Sequence, residues 1–143
     1  YNQMLGDKRG DFRVMLVHEW LPQALSATAA QEQGGESWYL FGHCTEVTAL
    51  PASTKQWADI FARFGAKLEN VNVGCCGMAG TYGHEVKNHA NSLAIYALSW
   101  QQAMQRLPRN RCLVTGYSCR SQVKRIEGSG VRHPLQALLE IMG

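Results

Sequence analysis

The stretch "ASTKQWADIFARFGAKLENVNVGCCG", residues 52–77, decides the fold because it joins a helix pattern to a strand pattern. Ser53, with Gln56 three residues later, is a capping-box signature for a helix start. The residues that follow place large apolar side chains on one helical stripe: Trp57, Ile60, Phe61 and Phe64. Gly65 stands where a left-handed residue ends a helix, and residues 66–73 then predict a strand. That strand leads directly to two adjacent cysteines.

Two more apolar segments outside this stretch have the length of buried strands. They are "SWYLFGHC", residues 37–44, and "RCLVTG", residues 111–116. A long helix is predicted over residues 84–107, with a buried face formed by Leu93, Ala97, Trp100, Met104 and Leu107. Because strands alternate with helices, we predict an α/β fold with a small parallel sheet flanked by helices in Rossmann-like layers.

The two ends of the chain carry further helical patterns. "YSCRSQVKRIEG", residues 117–128, predicts a loop and a short helix. "HPLQALLEIM", residues 133–142, predicts a last helix whose inward residues are Leu135, Leu138, Leu139 and Met142. In "DFRVMLVHEWLPQAL", residues 11–25, Val14, Val17, Leu21 and Leu25 have near-helical spacing that Pro22 would kink or end, and a strand over residues 12–17 is the alternative. A polar loop is predicted over residues 26–36.

The length and composition are those of one globular domain. The 143 residues carry a formal charge of +3 from scattered basic side chains, so we expect no nucleic-acid partner. No apolar run is long enough for a transmembrane segment, and no signal peptide pattern opens the chain. We interpret residues 1–143 as a single cysteine-rich domain from a larger protein, with residues 1–11 as a linker-like start. A reducing, cytoplasmic location follows, with peripheral attachment to the inner membrane face left open.

Four cysteines follow the three predicted strands: Cys44 after the first, Cys75 and Cys76 after the second, and Cys119 after the third. Because ligands bind beyond the carboxyl ends of parallel strands, we expect these thiols to meet at one sheet edge. Four sulfurs in one place are typical of zinc or iron–sulfur ligation. The loop glycines Gly74, Gly77 and Gly80 would allow positive φ and leave amides free to donate to sulfur. Cys112, inside an apolar strand, is expected to be a core residue.

The histidines are weaker candidates. His43 precedes Cys44 and could be a ligand or a partner of one. His84 and His89 flank the start of the long helix, where capping or exposure is the simpler interpretation. His18 is expected to be structural, and His133 before Pro134 to begin a helix.

The motifs "GCCGMAG" and "TGYSCRSQ", with an upstream cysteine, resemble the cysteine-rich CCG domain. That domain occurs in glycolate oxidase iron–sulfur subunits, anaerobic glycerol-3-phosphate dehydrogenase and heterodisulfide reductase. The residues of these two motifs look closest to the C-terminal region of fused bacterial oxidoreductases of the D-2-hydroxyglutarate dehydrogenase type, which join an FAD-linked domain to iron–sulfur segments. The family pattern ends in Cys-x-x-Cys, but here Gly116 replaces the first of those cysteines. Completion of the site by His43 or by Cys112 therefore stays open.

The resemblance implies an electron-transfer domain of a flavin-linked 2-hydroxyacid dehydrogenase. Its metal ligands would be Cys44, Cys75, Cys76 and Cys119, holding a 4Fe-4S type cluster, another iron–sulfur cluster or zinc. FAD would lie outside this chain, since "GMAGTYG" lacks the G-x-G-x-x-G spacing of a dinucleotide loop. The expected partners are the remaining domains of the parent enzyme and an electron acceptor such as a quinone or an electron carrier. The isolated chain is expected to be inactive.

Two other functions are compatible with the same residues. The first is a non-catalytic zinc module that stabilises or docks the dehydrogenase. The second is a thiol enzyme that uses Cys75 or Cys76 as nucleophile, with His43 or His84 as its base.

Overall fold

The protein is an α/β domain built on a parallel sheet, as the sequence predicts. The computed structural model describes residue 4, residues 6–25 and residues 35–143, so the loop predicted over residues 26–36 lies mainly outside the described residues. Within these residues the sheet has three strands: β1 (Ser37–Phe41), β2 (Lys67–Asn70) and β3 (Cys112–Val114). The order is β2-β1-β3, and both pairings are parallel.

Six α-helices surround the sheet in the described part of the chain. They are α1 (Val17–Ala24), α2 (Cys44–Ala49), α3 (Ser53–Arg63), α4 (His89–Arg106), α5 (Tyr117–Glu127) and α6 (Pro134–Met142). Short 3-10 turns lie at Gly6–Arg9, Tyr82–His84, Val86–Asn88 and Arg109–Arg111. None of the helices in the described ranges combines the length and apolar character that a membrane crossing needs.

The central strand β1 separates two hydrophobic layers because its side chains alternate between the two faces of the sheet. Trp38 and Leu40 pack into one core cluster with Trp57 and Phe61 of α3. Phe41, on the opposite face, packs into a second cluster that includes Tyr96, Trp100 and Met104 of α4 together with Cys76, Cys112 and Cys119. The predicted layers are therefore confirmed, and the cysteine-rich side of the sheet is the side that α4 covers.

Helix α3 forms where its apolar stripe predicts, but its start differs from the prediction. Trp57, Ile60 and Phe61 are buried, and Gly65 has a φ of +70° at the end of the helix. The predicted capping box at Ser53 is wrong, because Ala52 is the N-cap residue and the Ser53 hydroxyl is buried without a hydrogen-bond partner. Ser53 donates its amide to the Leu50 carbonyl at 2.9 Å, so the turn before the helix already includes it.

The long helix α4 begins later than predicted, and a different face of it is buried. Two 3-10 turns precede it, separated by Glu85, whose extended backbone interrupts the helix predicted from residue 84. The prediction was wrong for Leu93 and Ala97, which are exposed, and right for Trp100 and Met104. The buried residues are Ser92, Tyr96, Trp100, Ala103 and Met104. At Ser92, whose side chain is small, Gly77 of the loop that carries Cys75 and Cys76 comes close to the helix backbone.

The terminal helices also depart from the predicted patterns. Helix α1 starts at Val17 and contains Pro22, and residues 12–16 form no strand. Helix α5 is a full helix over residues 117–127 and ends at Gly128 with a φ of +71°. In α6 the prediction holds for Leu138 but is wrong for Leu139 and Met142, which are exposed, since Pro134 and Ala137 take the inward positions.

Candidate functional site

The carboxyl ends of β1 and β3 are fixed to each other next to the cysteines. The His43 amide donates to the Thr115 hydroxyl oxygen at 2.9 Å, across 72 positions of sequence. The Thr115 hydroxyl in turn donates to the Glu46 carboxylate. These bonds place the start of α2, which carries Cys44, beside the start of α5, which carries Cys119.

The loop that follows β2 and carries Cys75 and Cys76, here called the cysteine loop, begins at Gly74. Hydrogen bonds at Gly74 hold this loop against α4. The Gly74 amide donates to the Ser99 hydroxyl at 3.0 Å, and the Trp100 indole N–H donates to the Gly74 carbonyl at 2.9 Å. Gly77 and Gly80 have positive φ angles of +89° and +69°, as predicted, whereas Gly74 does not. The loop therefore needs glycine for its conformation at Gly77 and Gly80.

Three polar residues that sequence reasoning missed support the far side of this loop. Buried Gln122 donates to the Ser92 hydroxyl at 2.9 Å, and Arg125 donates to the same hydroxyl at 3.2 Å and to the Gly83 carbonyl at 2.6 Å. A Cβ on Gly77 would lie 2.2 Å from the Ser92 carbonyl oxygen. The two helices and the loop thus meet around Ser92, and no spacing motif in the sequence marks this contact.

The structure brings the four candidate thiols together at the carboxyl edge of the sheet. The Cys119 and Cys75 thiols both act on the pKa of Cys76, and the Cys44 and Cys76 thiols act on the pKa of Cys75. Cys44 acts on Cys119 through charge as well, so electrostatic interactions link all four thiols, which are called the thiol ring below. Cys44 is exposed, Cys75 is half-buried, and Cys76 and Cys119 are buried.

The thiols do not have equal proton affinities. The hydrogen bond from Cys119 lowers the pKa of Cys76 to about 7, helped by the Met78 amide and opposed by burial. As the donor of that bond, and as a buried group, Cys119 has a raised pKa. Burial also raises the pKa of Cys75, while the Gly77 amide, which donates to its sulfur at 3.4 Å, acts against this. Among the thiols whose pKa is shifted, Cys76 is therefore the one at which a thiolate is favoured.

The four thiols are chemically suitable ligands for a thiophilic metal, although the described side chains are not arranged around such an ion. Among the described residues, no group of three or more His, Cys, Asp or Glu side chains has the geometry to hold a metal ion. Four neighbouring sulfurs, with a backbone amide already donating to one of them, are nevertheless the ligand type of zinc and iron–sulfur sites. The ligand role of the four cysteines stays a prediction.

Comparison with known proteins matches the chain to proteins of one name from several bacteria. The chain is 73% identical over 142 residues to D-2-hydroxyglutarate dehydrogenase of Escherichia coli (strain K12) and 70% identical over 142 residues to that of Pantoea ananatis (strain AJ13355). It is 49% identical over 150 residues to that of Haemophilus influenzae (strain ATCC 51907 / DSM 11121 / KW20 / Rd).

All three relatives carry a dehydrogenase name. Each alignment includes 99% of this chain but only 14% or 15% of the relative, so the chain spans about one-seventh of the length of these curated proteins. No model of a known protein family matches the chain, and no solved structure matches it.

Cys112 lies in the same core cluster as Cys76 and Cys119, but it is not one of the interacting thiols. It is the first residue of β3, is only 1% exposed, and its thiol donates to the Pro108 carbonyl at 3.4 Å. Burial raises the pKa of Cys112 to about 11, which disfavours the thiolate that a metal would need.

We expect Cys112→Ser to leave metal content unchanged and to lower the free energy of unfolding by about 1–3 kcal/mol, because a hydroxyl is harder to bury than a thiol. Metal analysis and urea unfolding of the purified variant measure the two effects. Loss of metal without loss of stability would instead make Cys112 a ligand.

The His43 ring caps the helix that carries Cys44. Its Nδ1 accepts the Thr45 amide at 3.3 Å, which makes His43 the N-cap residue of α2. A role of His43 as a metal ligand stays a prediction. His84 and His89 are exposed, as predicted. The buried His18 ring lies 5.8 Å from Trp57, and His133 caps α6.

The His43 ring occupies the space that a cysteine at position 116 would need. A Cβ on Gly116 would lie 2.4 Å from His43 Cδ2 and 3.0 Å from the Cys119 sulfur. Where the Cys-x-x-Cys pattern has its first cysteine, this chain has Gly116, and the His43 imidazole occupies the space of the missing side chain.

We expect Gly116→Cys to lower the free energy of unfolding by about 1–2 kcal/mol, because the His43 ring must move and its helix cap is lost. In a His43→Gly background, where glycine at the N-cap costs only a few tenths, the same change should cost much less. Urea unfolding of the four proteins in this double-mutant cycle measures the coupling. An equal cost in both backgrounds would show that the two positions do not compete for space.

Proposed function

We propose that this chain is the electron-transfer module of a flavin-linked oxidoreductase that acts on a D-2-hydroxyacid. Cys44, Cys75, Cys76 and Cys119 would hold an iron–sulfur cluster, and FAD would lie in a part of the enzyme outside this chain. The observation that carries the proposal is the ring of four interacting thiols at the carboxyl edge of the sheet. The dehydrogenase name of relatives up to 73% identical supports it.

The residues of this chain would hold and tune such a centre in three ways. The hydrogen bond from Cys119 lowers the pKa of Cys76, so a thiolate is available near neutral pH. The Gly77 amide donates to the Cys75 sulfur, and such bonds to ligand sulfurs tune reduction potentials. Because Cys76 and Cys119 are buried, water would be excluded from their side of the centre. When bound, an iron–sulfur cluster supplies one-electron transfer.

The proposed partners are the remaining domains of the parent enzyme and an electron acceptor, such as a quinone or a soluble carrier. The site of action would be the cytoplasm, including the inner face of the membrane if the acceptor is a quinone.

Anaerobic purification tests the cofactor directly. Iron, acid-labile sulfide and zinc are measured in the full-length parent and in this chain, with absorption and electron paramagnetic resonance spectra before and after reduction. Iron with sulfide and a reducible spectrum supports the proposal. Stoichiometric zinc without sulfide would replace it by the structural or docking module, and protein free of all three would remove the metal function.

A further inference from the structure

A cavity of about 800 Å³ opens next to the thiol ring, at the same carboxyl edge of the sheet. Four exposed side chains with large apolar parts line it: Leu16 and Val17 at the start of α1, Leu50 after α2, and Tyr117 at the start of α5. The buried Trp57 ring of α3 also lines it. The four exposed side chains are here called the apolar face. None of the thiols lines the cavity, so the proposed electron transfer does not explain this face.

Charged side chains contribute little to the wall of this cavity. Among the described residues that line it there is no lysine or arginine, and Glu46 is the one acidic residue. The Glu46 carboxylate already accepts a hydrogen bond from the Thr115 hydroxyl, so it is engaged within the domain. The other polar side chains of the wall carry hydroxyls, such as those of Thr45 and Ser118, or imidazole rings. An apolar centre with few charged groups is the composition of the core of a protein–protein interface.

The size of the apolar face indicates what kind of partner would cover it. Four partly exposed side chains make a patch on the order of a few hundred Å², whereas proteins that associate stably as free molecules bury about 1,200–2,000 Å² in total. A small patch suffices when the partner belongs to the same polypeptide, because the tether keeps the two surfaces at a high effective concentration. This chain spans about one-seventh of the length of its relatives, so in those proteins a tethered partner is present.

We propose that the apolar face docks onto an apolar surface of the remaining domains of the parent enzyme. This inference rests on the part of the proposed function that makes those domains the partner, and it does not depend on a metal. Docking at this face would place the partner beside the thiol ring, because Thr45 directly follows Cys44 and Ser118 directly precedes Cys119 in the chain. The docked surface would then lie next to Cys44, which is the exposed member of the ring.

Hydroxyl-radical footprinting of this chain and of the full-length parent tests the proposal on a matched pair of side chains. Tyr117 in the apolar face is 80% exposed, and Leu98 of α4, in the opposite layer, is 78% exposed and does not line the cavity. We expect Tyr117 to be oxidised at least about 5-fold more slowly in the parent than in this chain, because the core of an interface is closed to water. Oxidation of Leu98 should keep its rate. Equal reactivity of Tyr117 in the two proteins, or equal protection of Tyr117 and Leu98, would overturn the proposal.

Two valine variants of the parent locate the docking surface. Val17→Asp places a charge in the apolar face, so it should return Tyr117 oxidation to within about 2-fold of its rate in this chain, because an unpaired carboxylate is unfavourable in an apolar interface. An aspartate in the first turn of α1 is compatible with the helix dipole, and urea unfolding of the same variant of this chain checks that the domain stays folded. Val86→Asp is the matched control, because Val86 is also exposed but does not line the cavity. Continued protection of Tyr117 in Val17→Asp, or equal loss of protection in both variants, would contradict docking at this face.

A second copy of this chain is the other occupant that the same measurement detects. If Tyr117 oxidation in this chain slows as the protein concentration rises, a second copy covers the face and the proposal is overturned. Iron, sulfide and zinc are measured in the same samples, so the two proposals fail separately. Metal-free parent in which Tyr117 is protected counts against the proposed function alone. Metal-loaded parent in which Tyr117 is as reactive as in this chain counts against this inference alone.

Discussion

Gly77→Ala is expected to lower the free energy of unfolding of this chain by about 2–5 kcal/mol. The left-handed conformation costs an alanine about 1–2 kcal/mol, and the φ of Gly77 is +89°. The new Cβ would also lie 2.2 Å from the Ser92 carbonyl oxygen, so α4 or the loop must shift at a cost of about 1–3 kcal/mol. Small domains unfold with about 5–15 kcal/mol in total, so this one methyl group removes a large share.

Gly80→Ala is the matched control for that variant. Gly80 also has a positive φ, +69°, but a Cβ there meets nothing within 4 Å. Its replacement should cost only the conformational term of about 1–2 kcal/mol. Urea unfolding of both variants measures the difference. Equal losses would mean that the contact with Ser92 yields without cost, and that the loop does not depend on close approach to α4.

Cys76→Ser in the full-length parent is expected to reduce electron delivery to the external acceptor by about 100-fold or more. The estimate follows because even residues behind metal ligands change metal affinity or activity by about 10- to 100-fold. Cys76 interacts with both Cys75 and Cys119, so its loss removes the centre of the proposed ligand set. Reduction of the flavin by the hydroxyacid should keep its rate, since the flavin lies outside this chain under the proposed function. Stopped-flow flavin absorbance and steady-state acceptor reduction measure the two steps separately.

Cys112→Ser controls for the burial of a hydroxyl in that experiment. The two cysteines are similarly buried, at 3% and 1% exposure, but Cys112 is not one of the thiols of the thiol ring. If both variants lose acceptor reduction equally, instability explains the effect. If Cys76→Ser leaves acceptor reduction intact, this domain is not on the electron path.

The layered fold could be predicted because it depends on short-range patterns. Strand β1 alternates Trp38 and Leu40 with Tyr39 and Phe41, and both sets meet helices, so the segment is apolar throughout. Such runs between helical stripes are typical of a buried parallel strand. The glycine that ends α3 is equally local in origin, since its φ of +70° follows from the lack of a side chain.

The helix faces were predicted less well because tertiary contacts decide them. Apolar spacing favoured Leu93 and Ala97, yet α4 buries Ser92, whose hydroxyl accepts from Gln122 and Arg125. A serine is recognisable as a core residue only once its partners are known, and both partners come from α5. The error at Ser53 was of a different kind. The sequence pattern predicted that Ser53 caps the helix, but its amide is bonded to the Leu50 carbonyl within the turn that precedes the helix.

The position of the candidate thiols at one sheet edge could be predicted, whereas their ligand role stays a prediction and the detail around them could not be foreseen. The four thiols follow from topology, since the ends of parallel strands share an edge. The competition between His43 and a side chain at position 116 depends on a distance of 2.4 Å, which spacing cannot give.

The order of the sheet has a consequence for how the protein matures in the cell. Strand β1 must already lie between β2 and β3 before the segments that carry Cys44, Cys75, Cys76 and Cys119 can meet. Parallel pairings between distant segments form slowly, and the unfolded chain contains no ready-made set of ligands. A metal held by the four cysteines, as proposed, would therefore bind after the sheet has formed, unlike zinc in a zinc finger. It would enter on the side of Cys44, which is exposed.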